Sequence, residues 1–167
     1  MHEYLHLAGA LGADTEPVPP SLAVSESEMA QAGEKFQVSP DAVWLGLNAG
    51  AEYGPAKRWP VERFIEAARA IREKTGCRCL VFGGPADTAL ADRIAGALGE
   101  SSVTVRNVAG RTSLRELLAL LARCRALLTN DTGPMHLAAA LGVPVVVPFG
   151  STSPELTGPG LPGDPRH

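Results

Sequence analysis

The sequence predicts an α/β fold, a doubly wound, Rossmann-like parallel sheet, and three observations carry that prediction. Its short apolar runs are continuous rather than alternating, as strands covered by helices on both faces must be. Nearly every run is followed by a stretch with apolar residues at helical spacing. Those helical stretches tend to open on Pro or Ser and close on Gly, the usual asymmetry of helix ends.

Residues 1–22 resemble the end of a helix running into a linker, because Pro17, Pro19 and Pro20 prevent regular continuation. They resemble a junction more than the start of a domain. The folded domain is expected over 23–157. A helix-compatible stretch from Ser25 to Phe36 leads into a first strand, Val43–Leu47. Val61, Phe64, Ile65, Ala68 and Ile71 then mark an amphipathic helix between Pro60 and Gly76. A second strand, Cys79–Phe82, precedes a helix carrying Leu90, Ile94 and Leu98 and ending at Gly99. Val103–Val105 reads as a third strand. Ser113 and Glu116 form a capping box opening a Leu-rich helix, because each can satisfy the other's backbone amide. Ala126–Thr129 is the fourth strand, Pro134–Ala140 a helix of small residues, and Val145–Val147 the fifth strand. Beyond Phe149 the chain is rich in Gly and Pro, so no helix is expected after the last strand, and 158–167 are expected to be a disordered tail.

Composition narrows the function. A chain of 167 residues, 45% apolar, supports one core. A net charge of −3 argues against a nucleic-acid partner and favours a small one. Cys77, Cys79 and Cys124 lack the C-x-x-C spacing of zinc or redox sites and read as buried thiols. There is no signal pattern, and the longest apolar stretch, Leu137–Phe149, is interrupted by Gly142, Pro144 and Pro148, too short for a transmembrane segment. The expectation is a reduced, cytoplasmic protein.

In open parallel sheets ligands bind beyond the carboxyl ends of the strands, which directs attention to the loops near Asn48, Gly83, Asn107, Asn130 and Gly150. The first places Gly50, Gly54, Lys57 and Arg58 ahead of a helix, a favourable setting for phosphate oxygens. It contains neither a P-loop nor a G-x-G-x-x-G fingerprint, which removes most support for NTPase chemistry and nicotinamide cofactors. On the residues alone, a solvated Lys57–Arg58 pair with Trp59 stapling the helix is an equal alternative. The fourth loop, Thr129–His136, offers free amides near Thr132 and Gly133, with His136 in the first helical turn. There Asp131 and Thr132 also suit a plain helix cap. No G-x-S-x-G elbow supports a serine hydrolase, and His136 has no second histidine at helical spacing for a metal.

Together G-A-E-Y-G-P-A-K-R-W-P, Gly50 to Pro60, and T-N-D-T-G-P-M-H, Thr129 to His136, resemble the two signatures of the ADP-heptose lipopolysaccharide heptosyltransferases. The resemblance runs from Val43 to Thr157 through V-F-G-G-P-A-D, N-V-A-G-R-T-S-L and P-F-G-S-T-S-P. Departures are Asn48–Ala49, where a His/Cys-Pro pair is expected, and Pro134, where Leu is usual. The resemblance implies the carboxy-terminal, donor-binding half of a GT-B glycosyltransferase, with the acceptor and the general base on an amino-terminal domain. It implies inverting heptose transfer from ADP-L-glycero-D-manno-heptose to the lipopolysaccharide inner core. No cofactor and no metal are implied, the ADP-sugar being a substrate, and peripheral contact with the inner membrane face is compatible with it. By the same resemblance Lys57 holds the diphosphate, with the Thr132 and Gly133 amides and His136 stabilising its charge. Asp131 meets sugar hydroxyls or orders the loop, Gly50 lets the backbone approach phosphate, Asp87 binds the ribose, and Thr112 lines the adenine pocket. No catalytic residue is expected in this chain, which alone is expected to be inactive. Rival readings are transfer of another nucleotide-sugar, a non-catalytic nucleotide-binding module, and a nucleotide-sugar epimerase, for which no acid and base pair is evident.

Overall fold

The structure, a computed structural model, describes residues 2–51, 55–99 and 104–159. Five parallel strands form one sheet in the order β3-β2-β1-β4-β5, with β1 Trp44–Asn48, β2 Arg78–Val81, β3 Val105–Asn107, β4 Cys124–Thr129 and β5 Val145–Val146. The helices are α1 His2–Ala10, α2 Glu26–Phe36, α3 Val61–Thr75, α4 Thr88–Leu98, α5 Leu114–Leu121, α6 Gly133–Ala140 and α7 Pro154–Thr157. The strand order reverses at β1, whose neighbours are β2 and β4, and this opens a crevice beyond the carboxyl ends of those strands.

Side-chain alternation on the strands divides the core. Leu45, Leu47, Cys79 and Val81 face one layer with Phe64, Ile65 and Ile94. Trp44, Leu80, Phe82 and Leu127 face the other with Phe36, Leu120 and Leu121. Both faces of β1 are therefore buried, which explains its unbroken apolar run. Burying residues such as Phe64, fully inaccessible here, stabilises the fold by about 1.5–3 kcal/mol each. Helix α3 ends because Gly76 takes a left-handed conformation, φ 67°, that few other residues accept, its N–H donating to the Arg72 carbonyl. The three cysteines are free and buried, and burial pushes the Cys79 thiol up to about 12, so they act as packing groups.

Several expectations need correction. The third strand is Val105–Asn107 rather than Val103–Val105: Thr104 lies in a turn and Val103 outside the described residues. Arg106 and Asn107 pair with Leu80 and Val81, and this edge strand tolerates polar residues that an apolar-run reading rejects. The fifth strand is short and incompletely covered, with Val146 59% exposed. A one-turn helix, α7, follows it where only loop was expected: Pro154 fixes a helical φ, and the Gly158 N–H donates to the Pro154 carbonyl. Of the tail, Gly158 and Pro159 are described and the remainder lies outside the described residues. At the other end α1 is followed by chain without regular structure from Ala13 to Ser25, tied to the domain where the Leu22 N–H donates to the Ala140 carbonyl at 2.8 Å.

Candidate functional site

The loop after β1 is held by Asn130, a fully buried side chain just beyond β4. Its Nδ2 donates to the Ala49 carbonyl at 2.7 Å and its Oδ1 accepts from the Trp59 N–H at 3.0 Å. One amide thus fixes both ends of the segment that carries Lys57 and Arg58. Asn48 supports it from β1, donating to the Thr129 hydroxyl at 3.0 Å. Trp59 packs edge-on against Phe64 with ring centroids 5.3 Å apart, so its stapling role is real. Lys57 departs from the solvated-pair alternative by reaching a buried carboxylate, while Arg58 stays partly exposed and stands 3.8 Å from one.

Lys57 Nζ lies 2.9 Å from Asp131 Oδ2, with both side chains largely buried. Burial pushes the Asp131 carboxyl up. Hydrogen bonds from Thr152, Lys57 and Thr157, together with the Lys57 charge, outweigh that and hold it below the ordinary carboxylate value. Asp131 is engaged with these residues rather than capping α6, whose N-cap, Thr132, also makes no side-chain capping bond. Among the described residues, the first amides of the helix therefore have no side-chain capping partner.

Arg58 turns the other way. Its Nη2 donates to the Ala51 carbonyl at 2.9 Å and stands 3.8 Å from Asp87 Oδ1. Asp87 Oδ2 in turn accepts the Gly84 N–H at 3.0 Å. Gly50 lies against this carboxylate: a Cβ there would stand 2.4 Å from Asp87 Oδ2. Gly50 thus makes room for Asp87.

Two hollows of similar size result, about 610 and 640 Å³. The first is lined by Gly50, Arg58, Asp87 and Thr112, with Gly83, Gly110, Leu114 and Leu117. The second is lined by Lys57, Asp131, Gly133 and His136, with Leu156 and Thr157 of α7. Thr132 and Pro134 border both and form their common wall. All eight residues singled out from the sequence line one hollow or the other. Arg58 as a separate wall, Asn130 as the organiser and Thr157 as a partner of Asp131 were not anticipated. Thr157 closes the last segment of the resemblance, and its exposed loop context concealed a contact made 26 positions away in sequence. Among the described residues no group of three His, Cys, Asp or Glu side chains is placed to hold a metal ion.

The sequence profile of glycosyltransferase family 9 (heptosyltransferase) matches residues 2–163. This chain belongs to glycosyltransferase family 9. It is 40% identical over 141 residues to lipopolysaccharide heptosyltransferase 2 of Escherichia coli K12, a match covering 84% of this chain and 40% of that one. The solved structure of E. coli ADP-heptose heptosyltransferase II superposes with a TM-score of 0.78 at 38% identity, covering 87% of this chain and 45% of that one. E. coli heptosyltransferase WaaC, solved with ADP, superposes with a TM-score of 0.65 at 26% identity over 92% of this chain and 45% of that one. This family 9 chain therefore spans about two fifths of the length of the curated relatives it matches.

Proposed function

We propose that the chain is the donor-binding half of a GT-B heptosyltransferase that transfers heptose from ADP-L-glycero-D-manno-heptose to the lipopolysaccharide inner core with inversion. The observation that carries this reading is the Lys57–Asp131 pair beside the uncapped start of α6, at the wall shared by the two hollows. A diphosphate lying across that wall meets a cation and free amides, the combination that stabilises a developing phosphate dianion. The first hollow, walled by glycines and by Leu114 and Leu117, suits a flat purine, with Thr112 beside the base and Asp87 placed for ribose hydroxyls. The second, with Asp131 and His136, suits the sugar and its terminal phosphate.

In this reaction an acceptor hydroxyl oxygen bonds to the anomeric carbon as that carbon's bond to the ADP phosphate oxygen breaks, and the hydroxyl proton passes to a base. Lys57, the Thr132 and Gly133 amides and His136 stabilise the departing ADP. They supply the positive potential, so the reading requires no metal and no cofactor. The base and the acceptor site belong to a further domain of the whole enzyme. Among the described residues no helix is long and apolar enough to cross a membrane. Nucleotide-sugar use places the enzyme in the cytoplasm, working against the inner membrane face where its lipid-linked acceptor lies.

Calorimetric titration with ADP and UDP, comparing native chain and Lys57→Ala, tests the assignment. Saturable ADP binding, weakened by about 1.5–3 kcal/mol in the variant, supports it. Preference for UDP points to another donor, and a folded chain that binds neither nucleotide overturns the reading.

A further inference from the structure

We infer that Arg58 is a second phosphate-binding residue and that the two adjacent cations divide the diphosphate between them, Arg58 on the nucleoside-proximal phosphate and Lys57 on the sugar-proximal one. The inference rests on the donor-site reading above and adds to it a residue and an order along the ligand. It comes from geometry: consecutive side chains enter different hollows. Lys57 lines the hollow with Asp131 and His136, and Arg58 the hollow with Gly83, Asp87 and Leu117. A ligand with its base in the first hollow and its sugar in the second passes Arg58 first and Lys57 second.

Arg58 is not committed to its present partner in a way that prevents this. The Arg58 guanidinium is 43% exposed, and its 3.8 Å approach to Asp87 is longer than a hydrogen bond. One Nη2 donor anchors it on the Ala51 carbonyl, which leaves other N–H groups of the planar fork for two phosphate oxygens. The anchor also holds the guanidinium beside Ala51, in the loop after β1. Beside Asp87, Arg58 offsets the repulsion between that carboxylate and a phosphate attached to the ribose it binds. Without Arg58, a carboxylate placed for ribose would oppose the very ligand it recognises.

Adenosine, AMP and ADP separate the two phosphates, since AMP carries only the nucleoside-proximal one. Titrations compare the native chain with Arg58→Ala, Arg58→Lys and Lys57→Ala, each checked for native circular dichroism and a cooperative melt. Arg58→Ala is expected to weaken AMP and ADP alike by roughly 10- to 100-fold while leaving adenosine unchanged. Lys57→Ala is expected to weaken ADP by a similar factor and leave AMP unchanged. Arg58→Lys restores charge without the fork and recovers part of the loss. Native ADP binding that Arg58→Ala does not alter overturns the inference while leaving the donor site intact. Equal losses for adenosine and AMP in Arg58→Ala also overturn it, because Arg58 then acts only on the shape of the nucleoside hollow. A native chain that binds none of the three ligands overturns the donor site and this inference together.

Discussion

The Oδ2 atom of Asp131 lies 2.9 Å from Lys57 Nζ and 3.0 Å from the Thr157 hydroxyl, so one buried oxygen joins the loop after β1 to α7. Exchanging that carboxylate for an amide keeps the shape and removes the charge. Asp131→Asn is expected to cost about 1–3 kcal/mol at pH 7 in urea unfolding. The sign with pH follows from the depressed folded-state value: the native advantage is complete above the ordinary value of 3.8 and lost as pH falls through the lower value of the folded state. Native and Asp131→Asn stabilities should therefore differ by a constant amount from pH 7 to about 5 and converge on further acidification. A difference that persists at low pH would show that shape, not charge, ties α7 down. The sequence made Lys57 and Asp131 legible as candidate residues, but not as each other's partner, because nothing in a linear pattern reports a contact across 74 positions. Asn130 was hidden for the same reason: a buried amide serving two backbone groups has the composition of an ordinary turn residue.

Helices α2 and α5 each begin with a capping box, Ser25 with Glu28 and Ser113 with Glu116. Each box glutamate also meets a cation of the other helix, Lys35 Nζ with Glu116 at 2.6 Å and Arg115 Nε with Glu28 at 2.7 Å. The two helix starts and the helix-helix contact thus share the same charges. The side-chain bond from Lys35 and the Ser113 backbone hold Glu116 at about 2, and the Ser25 backbone and Arg115 hold Glu28 at about 2. Both groups favour the fold above their ordinary value of 4.5, and that contribution disappears as pH falls towards 2. A Glu28→Gln/Glu116→Gln variant should accordingly show a flatter stability profile between pH 5 and 2 than the native chain, read from urea midpoints. An unchanged slope would mean that other carboxylates dominate acid unfolding. Ser113→Ala, which removes one cap acceptor, should cost about 1 kcal/mol. The Ser113–Glu116 box was legible in the sequence because its signal is local, whereas the cross-helix pairing was not. The same contrast explains β3, where register against β2 and not local hydrophobicity sets the strand. It also explains α7, a turn too short to show a period.

At the scale of the molecule, the sheet brings loops from β1, β2, β3 and β4 to one edge, and both hollows open there. On the proposed reading that arrangement supplies groups that bind a donor, whereas Asp131 is a poor base for its transfer. A general base works best when its proton affinity is close to the working pH. The carboxylate nearest the proposed reacting centre, Asp131, is held below the ordinary carboxylate value and bonded to Lys57 and Thr157, so it takes up a proton poorly. Binding and turnover are therefore expected to separate. Saturating ADP at about 100 times its dissociation constant should add about 2.7 kcal/mol to the stability of the folded chain, raising its melting temperature by roughly 5–11 °C. With ADP-heptose and a lipopolysaccharide acceptor, the same preparation should release no ADP above the spontaneous rate. Thermal-shift and coupled ADP-release assays on one sample distinguish the cases. Stabilisation without release places the base outside these hollows. Release that Asp131→Asn or His136→Ala abolishes without weakening ADP binding would instead locate it in this hollow and reassign the residue concerned from binding to catalysis.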